Sequence, residues 1–217
     1  MYHPVHTDDI QTTLALLSAN YTSARFSCVA FSLGAVMLTR YLAEHPADSR
    51  LSAAIAICCP FDTRVAFTAM DSPSVFNDYV FNPNVTKAIK RYVAKHQTVI
   101  QSGPIKYDFD AIYRATRMKQ IDTLMTAPFG GFNSCDEYYE GASTVALVPN
   151  IQTPFLAINS RDDSCVPIEA IPISAFEANP YTALALVNNG GHLGFFTGLV
   201  PTIWYIDPVI EFLSAPF

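Results

Sequence analysis

Three stretches of this chain carry residue types that together could activate a serine. The first is Ser27-Cys28-Val29-Ala30-Phe31-Ser32-Leu33-Gly34-Ala35, in which an apolar run stops at Ser32 and a helical pattern begins at once. A small residue two before the serine and a glycine two after it approximate G-x-S-x-G. In that motif a strained strand-to-helix turn exposes a nucleophilic hydroxyl. Close approach of the two backbones predicts that both flanking positions must be small, and Ala30 stands where the first glycine is usual. The second is Ile158-Asn159-Ser160-Arg161-Asp162-Asp163-Ser164-Cys165-Val166-Pro167, a strand ending in two carboxylates. The third is Val187-Asn188-Asn189-Gly190-Gly191-His192-Leu193-Gly194-Phe195, a strand ending in a glycine-flanked histidine. A serine hydroxyl is too weak an acid to attack unaided. His192 would take its proton, and Asp162 or Asp163 would fix the imidazole tautomer and stabilise its cation. Gly190 and Gly191 would let the histidine loop turn tightly.

The elements that must position these groups follow from hydrophobic pattern. Arg25–Phe31, Leu51–Cys59, Phe155–Asn159 and Thr182–Val187 read as strands. Their apolarity is largely continuous rather than alternating, as parallel strands covered on both faces require. Leu33–Glu44 reads as a helix ended by Pro46. Thr7 is placed to cap a helix whose stripe is Ile10, Leu14 and Leu17, with Asp8 and Asp9 in its first turn. Helices are predicted at Asn84–His96, around Asp108–Met118, after Pro167, and over Ile203–Ser214 with Pro208 kinking or delaying it. Alternating strands and helices give an α/β chain with a mostly parallel sheet flanked by helices. All three polar groups then fall just past the C-terminal ends of strands, where open parallel sheets bind ligands. The less regular segment 61–148 reads as a lid-like helical insertion within one domain, 1–217.

Composition narrows the function. The chain has 217 residues, 50% of them hydrophobic and 15% charged, with a net charge of -6. The mean hydropathy of +0.21 is high, yet no apolar stretch is long enough for a membrane-spanning helix. The excess implies a buried sheet, a lipid-facing surface or an absent partner. Nothing resembles a basic stripe, so no nucleic-acid partner is expected. The N-terminus has no basic region followed by an apolar core, so no secretory signal is read there. The cysteines, Cys28, Cys58, Cys59, Cys135 and Cys165, are odd in number and read as small core hydrophobes in a reducing compartment. An intracellular location, cytoplasmic or membrane-associated, is the expectation. The pair Cys58-Cys59 lacks a second Cys/His pair at finger-like spacing, so no metal is expected, and no cofactor.

With these motifs in hand, the chain resembles the α/β-hydrolases, and specifically the YheT-like branch of lipid esterases, which includes medium-chain acyl-CoA:alcohol acyltransferases. The resemblance is carried by His6-Thr7-Asp8-Asp9, Phe31-Ser32-Leu33-Gly34, Asn159-Ser160-Arg161-Asp162-Asp163 with Val166-Pro167, and Gly190-Gly191-His192-Leu193-Gly194-Phe195. Gly131-Phe132 with Tyr138-Tyr139 adds to it. It implies Ser32 as nucleophile, His192 as base, and Asp163 as acid, four residues before Pro167 in a D-x-x-V-P pattern. Asp162 is then a turn carboxylate, and the Leu33 N–H an oxyanion donor. The implied reaction is hydrolysis of lipid or short- to medium-chain acyl esters through an acyl-serine, with membrane-surface association. Acyl transfer to an alcohol, and a non-catalytic remnant that only binds, are the alternatives.

One departure stands out. Only 24 residues precede Arg25, where the family has about half a domain, including a loop that donates a second oxyanion N–H. The expectation is an N-terminally truncated chain, with Arg25–Phe31 as an exposed sheet edge. Such a chain should be poorly soluble and less active than a longer form.

Overall fold

The computed structural model describes residues 3–46 and 49–216. A four-stranded sheet runs in the order β1 (Ser27–Phe31), β2 (Ala53–Ile57), β3 (Phe155–Ser160), β4 (Thr182–Val187), and every pairing in it is parallel. The expected strands are all present, two of them shorter than their apolar runs. The register aligns the C-terminal ends: Phe31 faces Ile57, Ile57 faces Ile158, and Ser160 faces Val187. The ladder continues one step past the strands through Ser32 N–H to Ile57 O (2.9 Å), Cys58 N–H to Ile158 O (2.8 Å) and Arg161 N–H to Val187 O (2.9 Å). Four loops therefore open on one rim.

All five residues of β2 are buried, as an interior parallel strand demands. Edge strand β1 pairs with β2 alone among the described residues, and Phe31 at its end is 42% exposed. Helix α2 (Leu33–Glu44) buries Ala35, Val36, Leu38, Tyr41 and Leu42 in the main core. Each large side chain there contributes about 1.5–3 kcal/mol. Helix α1 (Asp8–Asn20) buries Leu14 and packs Ile10 and Leu17 on the same core. Thr7 does not cap α1 with its side chain. Its backbone is already helical, and its hydroxyl instead donates to Glu44 at 2.7 Å, tying α1 to the end of α2.

Between β2 and β3 lies a helical stretch: α3 (Thr63–Asp71), α4 (Asn82–Gln101), α5 (Phe109–Arg114), α6 (Met118–Ile121), α7 (Ala127–Phe129) and α8 (Cys135–Ala142). Wide π-type turns over Asn77–Phe81 and Asp122–Thr126 join some of them. The helix expected around Asp108–Met118 is two. Gln120 Oε1 accepts the N–H of Thr116 (2.8 Å) and Arg117 (3.2 Å), which ends one helix and starts the next. The α4 helix extends beyond its expected ends, because Pro83 sits in its first turn, where no intrahelical N–H is needed.

After Pro167 come a 3-10 turn, Ile168–Ala170, and α9 (Ile173–Ala178). The closing helix α10 spans Ile206–Ser214 rather than starting at Ile203. Ile203 belongs to β6 (Thr202–Ile203), paired antiparallel with β5 (Phe196–Thr197) in a hairpin that turns through Gly198 at φ +82°. Pro208 falls in the first turn of α10 and does not kink it.

Candidate active site

Ser32 sits between β1 and α2 with φ 49° and ψ -122°, a conformation rarely adopted by a residue with a side chain. The turn lifts its hydroxyl off the sheet rim and leaves Leu33 as the first residue of α2. The N–H groups of a helix's first turn have no intrahelical acceptor and face the positive end of the dipole. The expected crowding at position 34 is absent: a Cβ on Gly34 would meet nothing within 4 Å, because this face of the turn is open to solvent.

Ser32, Asp163 and His192 meet at the rim. His192 Nε2 lies 3.0 Å from Ser32 Oγ. His192 Nδ1 lies 2.9 Å from Asp163 Oδ2 and 3.1 Å from Oδ1. An ionised carboxylate only accepts, so Nδ1 carries the imidazole proton and Nε2 keeps a lone pair toward the serine hydroxyl. Asp163 Oδ1 also accepts the N–H of Cys165 (2.8 Å) and Val166 (3.0 Å), which fixes the carboxylate in its turn. The Asp163 side chain is fully buried, whereas the imidazole is 21% exposed. The arrangement can shuttle one proton between a hydroxyl and an imidazole whose cation is neutralised from behind.

With fold and geometry in place, the comparisons decide the family. The model of the alpha/beta hydrolase fold matches residues 3–199. The chain belongs to the α/β-hydrolase family. It is 31% identical over 219 residues to a monoacylglycerol lipase of Saccharomyces cerevisiae, covering 99% of this chain and 48% of that protein. It is 30% identical over 216 residues to the phospholipase ABHD3 of Homo sapiens, covering 99% of this chain and 52% of that one. The embryogenesis-associated protein EMB8 of Picea glauca is 27% identical over 91% of this chain and 43% of its own length. The chain thus spans about half the length of the curated relatives it matches.

Among solved structures, an esterase of Pyrococcus furiosus superposes with a TM-score of 0.53 at 17% identity, covering 95% of this chain and 60% of that one. An alpha/beta fold family hydrolase of Bacillus anthracis gives a TM-score of 0.54 at 13% identity, covering 96% and 72%. These two likenesses concern the fold alone. The resemblance drawn from the motifs is borne out.

Two residues of this α/β-hydrolase do more at the rim than their sequence context suggested. Asp162, read as a turn carboxylate, clamps the histidine loop. Its Oδ1 accepts Gly190 N–H at 2.9 Å and Gly191 N–H at 2.8 Å, and Ser160 Oγ donates to the same oxygen. The Ser160 hydroxyl and the glycine amides hold the Asp162 carboxyl below the ordinary carboxylate range. The glycines suit this loop: Gly191 has φ +58°, and a Cβ on Gly190 would strike the Phe195 ring at 2.7 Å. Cys58, read as a core hydrophobe, follows β2 with φ 51°, and its Sγ accepts Leu193 N–H at 3.3 Å. Its position at a strand's C-terminal end was the signal that could have flagged it.

The helical stretch between β2 and β3 meets the Ser32 turn at a cavity of about 280 Å³ bordered by Leu33, Ile89, Tyr92, Val93, Asp122 and Tyr138. It is mostly apolar, with one buried carboxyl in its wall. Burial pushes the Asp122 pKa up to about 6, against hydrogen bonds from Thr126 and the Tyr139 hydroxyl, the latter at 3.0 Å. The Phe132 and Tyr138 rings pack on His3, with centroids 5.8 Å and 4.9 Å away, so the N-terminal segment is pinned to the insertion. No helix among the described residues is long and apolar enough to cross a membrane.

Proposed function

We propose that this chain carries the catalytic apparatus of a serine hydrolase that cleaves lipid-like carboxylic esters. The observation that carries the reading is the unbroken relay from Ser32 Oγ to His192 Nε2 (3.0 Å) and from Nδ1 to Asp163 (2.9 Å). Ser32 attacks the acyl carbonyl while His192 takes its proton, and Asp163 stabilises the imidazolium. The Leu33 N–H donates to the developing oxyanion. The imidazolium then protonates the departing alkoxide, leaving an acyl-serine. Water, deprotonated by the same imidazole, attacks that ester and returns the chain to its starting state.

The apolar cavity beside Leu33 supports an acyl chain as the bound group. Segment 61–148 acts in this reading as a lid over it. Beyond His192 the exposed, charge-free Phe196, Leu199 and Val200 on the hairpin suit a substrate presented at a lipid–water boundary. The names of the relatives, a monoacylglycerol lipase and a phospholipase, agree with the substrate class.

The test is labelling with a fluorophosphonate probe, which phosphonylates only an activated serine. The native chain should label at Ser32, and Ser32→Ala should not. A folded native chain that stays unlabelled overturns the proposal. Product analysis with and without added alcohol then separates hydrolysis from acyl transfer.

A further inference from the structure

Behind the relay lies a fourth side chain whose chemistry the reaction does not use. The Cys58 Sγ, an imidazole nitrogen of His192 and a carboxylate oxygen of Asp163 all lie within 4.8 Å of one another. Cys58 and the Asp163 side chain are completely buried, and His192 closes the solvent side. Three donors of three kinds therefore point at one small volume. A tetrahedral zinc ion, with bonds of about 2.0–2.3 Å, holds its donors roughly 3.3–3.8 Å apart, so modest side-chain shifts suffice. The backbone already supports a thiolate there, since Leu193 N–H points at the sulfur.

We infer that Cys58, Asp163 and His192 form a binding site for a soft divalent cation such as zinc or cadmium, and that the bound ion switches the serine off. Binding is redox-neutral. The thiol proton of Cys58 leaves to solvent, the imidazole proton of His192 passes from Nδ1 to Nε2, and the cation forms bonds to Sγ, Nδ1 and a carboxylate oxygen. A water fills the fourth position.

The consequence for the relay follows from the imidazole. A neutral imidazole coordinated through Nδ1 carries its proton on Nε2, the nitrogen that faces Ser32. It then has no lone pair to take the serine proton. The thiolate makes the site selective: magnesium and calcium prefer oxygen ligands and hold poorly to sulfur. Binding displaces the Cys58 thiol proton, so affinity should rise with pH.

Switching rests on the proposed reaction; binding does not, and the experiment reads the two separately. Cadmium is titrated into the full chain while thiolate-to-cadmium charge-transfer absorbance is followed. A saturable band of one equivalent is expected, weakened at least about tenfold in Cys58→Ser and His192→Gln and kept in Cys165→Ser. Thermal melting without metal confirms that each variant is folded, and Cys58→Ala serves if Cys58→Ser is not. In parallel, fluorophosphonate labelling is measured with zinc or magnesium, each variant against its own metal-free rate. Zinc should slow the native chain at least about tenfold, magnesium should not, and Cys58→Ser should resist zinc. A band that survives in Cys58→Ser and Cys58→Ala overturns the site. Equal zinc inhibition of native chain and Cys58→Ser overturns the switch. Absent labelling with the band intact indicts the proposed reaction and leaves the site standing.

Discussion

Asp163 on the sheet rim and Asp122 in the helical insertion are equally hidden, each 6% exposed, yet the two regions treat a buried carboxyl differently. On the rim, two backbone N–H groups and an imidazole converge on Asp163. In the insertion, Asp122 is met by the hydroxyls of Tyr139 and Thr126, and its pKa is pushed up to about 6 by burial. What separates the sites is the supply of oriented donors. The rim is rich in them because parallel strands end there and release their backbone into turns. The insertion spends its backbone N–H groups inside helices.

The contrast is broken most severely at Asp163. Asp163→Asn can still accept the two backbone N–H groups, but its amide forces the wrong imidazole tautomer. In the proposed reaction kcat should fall about 10⁴-fold, with the fold preserved. Steady-state kinetics on a soluble ester, with circular dichroism as control, checks this. A fall below tenfold would show that Asp163 is not the acid.

The next effect belongs to the insertion and concerns stability. Asp122 holds its proton more tightly folded than unfolded, so the folded state binds more protons between the ordinary value of 3.8 and about 6. Its contribution is fully present below 3.8 and is lost as pH rises through about 6. The two-unit rise corresponds to about 3 kcal/mol. Asp122→Asn cannot ionise and should flatten that slope, gaining stability relative to the native chain at neutral pH. Urea unfolding of both proteins at pH ~4 and ~7 measures it. Parallel pH dependence in the two would remove Asp122 from the account.

The same contrast explains what could be read in the sequence. Each rim strand is a short apolar run that stops at a serine, a cysteine pair, an Asp-Asp or a Gly-Gly-His, so its end is marked twice. The insertion lacks such marks, because its breaks are set by partners far along the chain. Arg117 ends up between helices by donating to Asp71 O at 2.8 Å and pairing with Asp78. Asn82 bridges Met70 O (3.3 Å), Asn77 O (3.1 Å) and Met118 N–H (2.9 Å). The hairpin Phe196–Ile203 was invisible because two-residue strands carry no alternation. Cys58 and Asp162 were visible as rim residues but not in their roles, which exist only once β2, β3 and the histidine loop are side by side.

The smallest expected effect sharpens the comparison within the rim itself, because Asp162 is next to Asp163 in the chain but faces solvent. It touches no reacting atom; it positions His192 by accepting two consecutive glycine amides. In Asp162→Ala those amides turn to water rather than being stranded, so the loop loosens without unfolding. A fall of about tenfold in kcat with KM little changed is expected, about 1.4 kcal/mol. Asp162→Asn keeps an accepting oxygen and should restore most of the rate, which a merely structural loss would not do. Hydrogen exchange gives an independent readout: Gly190 and Gly191 amides should exchange faster in Asp162→Ala and stay protected in Asp162→Asn. The folded-state pKa of Asp162 is lowered, so this protection is present through neutral pH. It should be lost in the native chain as pH falls through that lowered value. Asp162→Asn has no charge to lose and should keep its protection there, and matching acid behaviour in the two proteins would show that something other than this carboxylate holds the loop.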